Sequence, residues 1–255
     1  YCQSGACGLS DLVLVAWPLS LHAEEPVLSV LAGSGIPENA DGLPEKAGFN
    51  TPYGLYVDSQ GRIYVADSYN NSIRLISDSK VSTVAGSSIG NDSYGFPMGG
   101  LVDGDAEKAV FNKPRAVVVN GQGTIYVADT GNNVIRKISQ GKVTTYAGTG
   151  KAGFRNGSVR DAQFNAPSGL ALDKAGNLYV ADTLNNVIRK ISPQGVVTTY
   201  AGNNTGAAGY RDGSLTGAEF NEPAALTIDS QDNLYVADSG NQLIRKIGKD
   251  LVETA

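Results

Sequence analysis

Short apolar runs that alternate with polar clusters fill the chain from about residue 27 to its end. The phrase "IYVADTGNNVIRKI" begins at Ile125, and near-copies of it begin at Ile63, Leu178 and Leu234. Runs rich in Val, Ile, Tyr and Thr that are bounded by Gly, Asn, Asp or Pro are typical of β-strands. No ten-residue stretch of this region has the apolar period of a helix. The pattern predicts an all-β protein.

The repeated unit is longer than this phrase. Each copy contains an Asp-Gly or Asn-Gly pair, then Phe-Asn-x-Pro, a strand, a turn such as "DKAG", the phrase itself and a run such as "VTTYAG". The Phe residues lie at one fixed spacing before the Asp of "YVAD": Phe49, Phe111, Phe164 and Phe220. Agreement at so many offsets marks a repeat protein, and four short strands per unit predict a β-propeller with one blade per unit.

These motifs resemble the NHL-repeat family, in the long-loop variety found in secreted bacterial proteins, and the resemblance covers about residues 27–255. It implies the propeller fold. The family includes lyases, receptor sensor domains, RNA-binding proteins and adhesion modules, so the resemblance does not imply one function.

The number of blades has two interpretations. Four full repeats are visible, at about residues 41–86, 103–148, 156–202 and 212–255, and residues 27–33, "VLSVLAG", match the last-strand motif without a blade ahead of them. Because "LVETA" at residues 251–255 reads as the last strand of the fourth blade, we favour a partial six-blade propeller whose open blade edges pair with another copy. The alternative is a closed four-blade ring in which the N-terminal strand displaces "LVETA".

The first 26 residues read as a leader, either signal-peptide-like or disordered. The apolar run at residues 11–23 ends in Ser-Leu-His-Ala before two Glu, as a secretory signal does, and it is too short to span a membrane. Cys2 and Cys7 both lie in this leader. We therefore predict a secreted or cell-surface protein, of bacterial type by the resemblance.

Charge argues against a nucleic-acid partner. The formal net charge is −5 and no run of Lys or Arg occurs, whereas binding to phosphates needs clustered cations.

The residues that recur in every copy are interpreted as structural. An Arg within a strand between blades needs a partner, and the "YVAD" Asp of its own or the adjacent blade is the predicted one. These predicted pairs involve Asp67, Asp129, Asp182 and Asp238 with Arg74, Arg136, Arg189 and Arg245. The acids of the Asp-Gly pairs are weak calcium candidates, since oxygen ligands suit this ion: Asp41, Asp103 and Asp212.

Function is expected where the copies differ. By analogy with the family, ligands bind on the propeller face where the loops between second and third strands and the loops between blades open. The longest loop between blades runs from Ser87 to Val102. Loops that break a repeat are where function concentrates. The candidates for this ligand face are Tyr53, Tyr69, Tyr94, Phe96, Arg115, Ser168 and Leu184.

Catalysis is the second hypothesis. The chain has one His, His22 in the leader, and no Cys after Cys7, so the repeat region has no His shell for a metal and no thiol nucleophile. A calcium-dependent hydrolase, lactonase or lyase with its site at the central channel, built from residues such as Glu107, Glu219 and Glu222, stays open. The favoured prediction is an extracytoplasmic binding module without a cofactor, whose ligand is a protein, a peptide or a glycan.

Overall fold

Four antiparallel sheets follow one another along the chain in the computed structural model, which describes residues 29–255. Blade 1 consists of strands Pro52–Val57, Ile63–Asp67, Ser72–Ser77 and Lys80–Ala85. Blade 2 consists of strands Ala116–Val119, Ile125–Asp129, Val134–Ser139 and Lys142–Ala147. Blade 3 consists of strands Pro167–Leu172, Leu178–Asp182, Val187–Ile191 and Val196–Ala201. Blade 4 consists of strands Pro223–Ile228, Leu234–Asp238, Leu243–Ile247 and Leu251–Thr254.

Within each blade the four strands are neighbours in chain order. The Asn-Gly or Asp-Gly pairs add short edge strands beside the fourth strands of blades 2, 3 and 4: Gly104–Asp105, Gly157–Ser158 and Gly213–Ser214. In blade 1 a single bridge between Gly42 and Val81 takes this place. The glycines adopt φ angles of about 140°, which residues with a Cβ rarely reach, so a Gly follows the Asp or Asn in every copy.

One turn of 3-10 helix joins the second strand to the third in every blade. These turns are Ser68–Asn70, Thr130–Asn132, Thr183–Asn185 and Ser239–Asn241, and a further one, Pro44–Lys46, precedes blade 1. Each of the four ends on a residue in the left-handed conformation: Asn71, Asn133, Asn186 and Gln242. Asn tolerates this conformation well, which accounts for the repeated Asn-Asn of the sequence.

The hydrophobic core lies between consecutive blades. Three clusters of buried side chains fill the contacts between blades 1 and 2, blades 2 and 3, and blades 3 and 4. The first strands of consecutive blades pack side by side, and within residues 29–255 no strands of blades 1 and 4 pack in a comparable way. Within the described residues the strand contacts therefore join the blades in chain order, blade 1 with 2, blade 2 with 3 and blade 3 with 4.

The structure confirms the predicted all-β propeller fold, and its four blades are the number of the alternative interpretation. The predicted strand over residues 27–33 is wrong for residues 29–33, which form no strand. Instead, the Gly33 and Ser34 N–H groups donate to the carbonyl oxygens of Pro44 and Ala47. Residues 27 and 28 and the predicted leader lie outside the described residues. No described helix is long and apolar enough to cross a membrane.

Candidate functional site

A buried ion pair at the heart of each blade places the repeated Asp and Arg. Nη1 of the Arg donates to Oδ2 of the "YVAD" Asp seven residues earlier, at 2.9, 2.8, 2.6 and 2.9 Å in blades 1 to 4. All eight side chains are buried. The same Asp accepts hydrogen bonds from the N–H of the Asn in "FN" and from the first Asn of the turn. The ion pair therefore ties the turn between the second and third strands to the segment that leads into the blade.

The Arg also holds the loop ahead of its blade. Nη2 donates to an oxygen of Asp41, Asp103, Asn156 or Asp212 at 2.6–2.8 Å. The Phe of "FN" stacks on the guanidinium, with its ring centroid 5.0–5.1 Å from Cζ. The four Nε atoms make no hydrogen bond among the described residues. The recurring Phe and Arg thus act as one unit.

Burial sets the acidity of the central Asp. It raises the pKa of Asp129 to about 6, against the opposing charge of Arg136 and the hydrogen bonds from Asn112 and Asn132. Burial raises the pKa of Asp67 and Asp182 in the same direction. These carboxylates are buried and accept hydrogen bonds from within the protein, so a ligand does not reach them.

The weak calcium candidates also bond to the buried Arg of each blade. Both oxygens of Asp41 are used: Oδ1 accepts from Arg74 and from the Thr83 hydroxyl, and Oδ2 accepts from the Thr83 N–H. Partial burial raises the pKa of Asp41, and these hydrogen bonds outweigh it, so that the pKa lies below its usual value. Asp103 and Asp212 make the same contacts. Within residues 29–255 no three acidic, His or Cys side chains converge as a metal site would require.

Two polar contacts link each blade to the next one. The hydroxyl of the Ser or Thr in "AD[ST]" donates to the Pro carbonyl of the following blade, from Ser68 to Pro114 and from Thr130 to Pro167. The second Asn of the turn accepts a hydrogen bond from the N–H after "FN" of the following blade, as Asn133 does from Ala166. The turn phrase is therefore repeated because it joins blades, and in blade 4 Gln242 stands at the position of this Asn.

One cleft stands out on the face where these turns open. It lies between the 3-10 turn of blade 1, the start of blade 2 and the loop from Ser87 to Val102, with a volume of about 610 Å³. We name it the blade 1–2 cleft. Its apolar lining comes from Tyr69, Ile89, Phe96 and Met98, and its polar lining from Asn50, Thr51, Asn71, Asp92, Asn112 and Lys113.

The loop that walls this cleft is folded by its own polar groups. Asp92 Oδ1 accepts hydrogen bonds from the N–H groups of Tyr94 and Phe96, both at 2.9 Å. Ile89 and Met98 pair across the loop through their backbones. Asn71 connects the two walls, because its side chain donates to the Pro97 carbonyl and accepts from the Lys113 N–H. Phe96 and Met98 are thereby presented to solvent in a fixed position.

Two cations lie on tyrosine rings at this face. Lys113 Nζ is 5.3 Å from the Tyr69 ring centroid, and Arg115 Cζ is 4.8 Å from that of Tyr53. Neither cation forms a salt bridge or a side-chain hydrogen bond with the described residues. In a chain of net charge −5, this is a local patch that attracts an acidic group.

The predicted ligand-face residues separate into three groups. Tyr69 and Phe96 line the blade 1–2 cleft, and Tyr94 stands beside it with 85% of its surface exposed. Tyr53 and Arg115 meet where the first strands begin, and they line an open central cavity of about 510 Å³ to which the first strands of all four blades contribute. Leu184 is exposed on the turn of blade 3.

Ser168 does not present its hydroxyl to a ligand. It is buried, and its hydroxyl bonds to Thr183 and donates to the Ala224 carbonyl. This position joins blade 3 to blade 4. The acids named for a catalytic site are not brought together either: Glu219 pairs with Arg211, and Glu107 lies on blade 2.

Lys113 and Asp92 were not among the predicted site residues. Lys113 occupies the x of Phe-Asn-x-Pro, where the other copies have Thr51, Ala166 and Glu222, so the rule that function lies where copies differ points to it. Asp92 carries no comparable signal, since its loop has no counterpart in the other repeats.

These features define the class of the protein as a β-propeller with four-stranded blades, in which an Arg–Asp–Phe unit holds every blade. The family model of the NHL repeat matches residues 49–74, 111–138 and 220–247. The chain therefore contains NHL repeats, as the sequence motifs predicted, and the secreted bacterial subtype stays a prediction.

Several curated proteins are similar to this chain in sequence. NHL repeat-containing protein 2 from Bos taurus is 37% identical over 169 residues, which are 62% of this chain and 23% of that protein. Its Homo sapiens counterpart is 31% identical over 249 residues, which are 84% of this chain and 33% of that protein. SUPPRESSOR OF QUENCHING 1, a chloroplastic protein from Arabidopsis thaliana, is 35% identical over 175 residues, with 65% and 16% covered. The chain thus spans a third or less of the length of these relatives.

Solved structures support the fold alone. An auxiliary nutrient-binding protein from Bacteroides ovatus superposes with a TM-score of 0.58 at 20% identity, over 82% of this chain and 49% of that one. An auxiliary nutrient-binding protein from Bacteroides thetaiotaomicron superposes with a TM-score of 0.51 at 19% identity, over 86% of this chain and 75% of that one.

Proposed function

We propose that the chain is a binding module that holds an acidic peptide segment with an apolar anchor in the blade 1–2 cleft, without chemistry. The observation that carries this proposal is the cleft itself, which exposed Phe96 and Met98 line together with Tyr69 and Lys113, a cation without a salt bridge among residues 29–255. Exposed apolar groups gathered in a concave site mark interaction surfaces.

The residue types favour a peptide over a glycan. Aromatic residues, Met and Arg are enriched at protein interfaces, and this face gathers Tyr53, Tyr69, Phe96, Met98 and Arg115. Met98 has an unbranched side chain that adapts to the shape of an anchor residue. Lys113 and Arg115 supply the attraction for the acidic part of the ligand.

Selection from a random peptide library against the purified chain tests this proposal. We expect acidic sequences that contain an aromatic or large aliphatic residue. Binding of a selected, fluorescently labelled peptide is then measured by anisotropy. Because alanine at a central anchor costs about 2 kcal/mol or more, we expect Phe96→Ala to weaken binding at least tenfold. Lys113→Glu adds repulsion and weakens binding further at low salt.

Matched controls are present in the chain. Lys249 is exposed in the hairpin between the third and fourth strands of blade 4, at the opposite end of the strands, and Tyr210 is 74% exposed on the loop that leads into blade 4. Lys249→Glu and Tyr210→Ala are expected to leave peptide affinity unchanged. Equal loss in control and cleft variants would contradict the proposal. If a glycan array shows sugar binding that the Phe96 variant loses, the cleft is still the binding site but its ligand is a glycan, which would contradict the proposed peptide ligand.

A further inference from the structure

The chain contains a single methionine, Met98, and it lies in the wall of the blade 1–2 cleft. Its backbone is held on both sides by the other arm of the loop. The Met98 N–H donates to the Gly90 carbonyl oxygen at 2.8 Å, and the Met98 carbonyl oxygen accepts from the Ile89 N–H at 3.1 Å. The thioether side chain therefore starts from a fixed position in the cleft.

The thioether of Met98 is open to solvent. Met98 is 39% exposed, and it belongs to none of the three core clusters between the blades. Its terminal carbon, Cε, lies 3.5 Å from the position that a Cβ on Gly90 would take, and Gly90 is itself exposed. The sulfur, one bond from this methyl group, is therefore at the surface of the loop, where a small oxidant reaches it.

A thioether in such a place is a site of oxidation. With a hydroperoxide, the sulfur lone pair forms a bond to one peroxide oxygen and the O–O bond breaks. The proton on the transferred oxygen moves to the other oxygen, which leaves as water or an alcohol. The sulfur is oxidised by two electrons and the peroxide is reduced by two. The product is a polar, chiral sulfoxide in place of an apolar, flexible side chain, and reductases reverse the change.

This change of polarity matters because Met98 supplies part of the apolar lining of the cleft. The other apolar members, Tyr69, Ile89 and Phe96, are exposed as well. An apolar anchor bound among them covers the Met98 side chain. A sulfoxide oxygen under such an anchor loses its hydrogen bonds to water and finds no donor on the anchor. Oxidation therefore disfavours the occupied cleft, whereas in the empty cleft the oxygen stays solvated.

We propose that Met98 is a modification site and that its oxidation to the sulfoxide by a hydroperoxide releases the ligand of the blade 1–2 cleft. This inference rests on the function proposed above, because it concerns the same ligand. The blades keep their structure on oxidation, since the Met98 side chain lies outside the core clusters. Reduction of the sulfoxide restores binding.

The test is the affinity of a selected peptide before and after treatment of the chain with dilute hydrogen peroxide. The peptide lacks Met, Cys and Trp, and the peroxide is removed before binding is measured by anisotropy. Mass spectrometry of a digest measures the oxidised fraction of Met98, and circular dichroism checks the fold. We expect the affinity to fall about tenfold, as for an unpaired polar group buried at an interface. Treatment with the two reductases, one for each sulfoxide epimer, is expected to restore it.

Two substitutions separate Met98 from the other groups that peroxide attacks. Met98→Leu cannot form a sulfoxide but keeps Cys2, Cys7 and Trp17. Whatever its starting affinity, this variant is expected to bind equally before and after peroxide. Met98→Gln places a polar group on a chain of similar length, and it is expected to bind about tenfold more weakly than Met98→Leu without any peroxide. In the wild type, saturating peptide is expected to slow the oxidation of Met98.

The possible failures are distinguishable. Full oxidation of Met98 with unchanged peptide affinity would overturn this inference and leave the peptide-binding function standing. An equal loss of affinity in wild type and Met98→Leu would assign the effect to another residue, and a loss of the circular dichroism signal would assign it to unfolding. Either result would overturn the inference. A chain that selects no peptide would overturn the proposed function and this inference together.

Discussion

At the scale of the residue, the most demanding feature is a guanidinium and a carboxylate that are both removed from water. Burying a charge is tolerated only when the charge is paired and hydrogen-bonded. Arg136 meets this need with Asp129, Asp103, two backbone carbonyls and the Phe111 ring. The ion pair thus connects the turn, the loop ahead of the blade and the core. Because it recurs in all four copies, the four blades have the same internal arrangement.

Replacing Arg136 by Ala leaves the buried Asp129 without its main partner. We expect the free energy of unfolding in urea to fall by about 3–5 kcal/mol. Lys137→Ala, one residue further on, is the control and is expected to change it by about 0.5 kcal/mol or less. An equal effect of the two substitutions would show that the buried pair is not what stabilises the blade.

The effect of Arg136→Ala has a pH dependence with a definite sign. Burial raises the pKa of Asp129 from 3.8 to about 6, so the folded chain takes up a proton on this group as the pH falls between these values, before the unfolded chain does. Below about 6 the wild-type pair has lost its carboxylate charge. The difference in unfolding free energy between wild type and variant is therefore expected to narrow as the pH falls from 7 to 5.

At the scale of the element, the turn between the second and third strands does two tasks. Inside a blade it closes the hairpin, and between blades its Ser or Thr and its second Asn bond to the following blade. Turn statistics explain the first task from sequence, because Asn accepts the left-handed conformation. The second task needs the three-dimensional neighbour.

Asn133 and Gln242 separate these two tasks experimentally. Both residues have a positive φ, 56° and 58°, but of the two only Asn133 bonds to another blade among residues 29–255. We expect Asn133→Ala to lower the free energy of unfolding by about 1 kcal/mol more than Gln242→Ala, because it leaves the part-buried N–H of Ala166 without its partner. Both variants pay the same cost for the left-handed backbone. Equal losses of unfolding free energy in the two variants, measured by thermal or urea unfolding, would contradict a role of Asn133 in joining blades.

At the scale of the whole molecule, the repeat predicts the fold and its differences indicate part of the site. Fixed offsets of Phe, Asp, Asn and Arg predict the blades. The blade 1–2 cleft could not be predicted by comparing the repeats, because the loop from Ser87 to Val102 has no second copy in the chain. Its shape depends on Asp92 accepting two N–H groups and on Asn71 joining both walls. Ser168 misled the prediction because a variable position in this chain also serves blade packing.

The central claim is that repeated residues hold the blades and that residues unlike their counterparts bind the ligand. The most direct test is an alanine scan of the displayed chain in which protease resistance and capture of a selected peptide are measured on the same variants. We predict two separate sets, with Arg136 and Asn133 losing resistance and Phe96 and Lys113 losing capture alone. Loss of capture only where resistance is also lost would contradict the account.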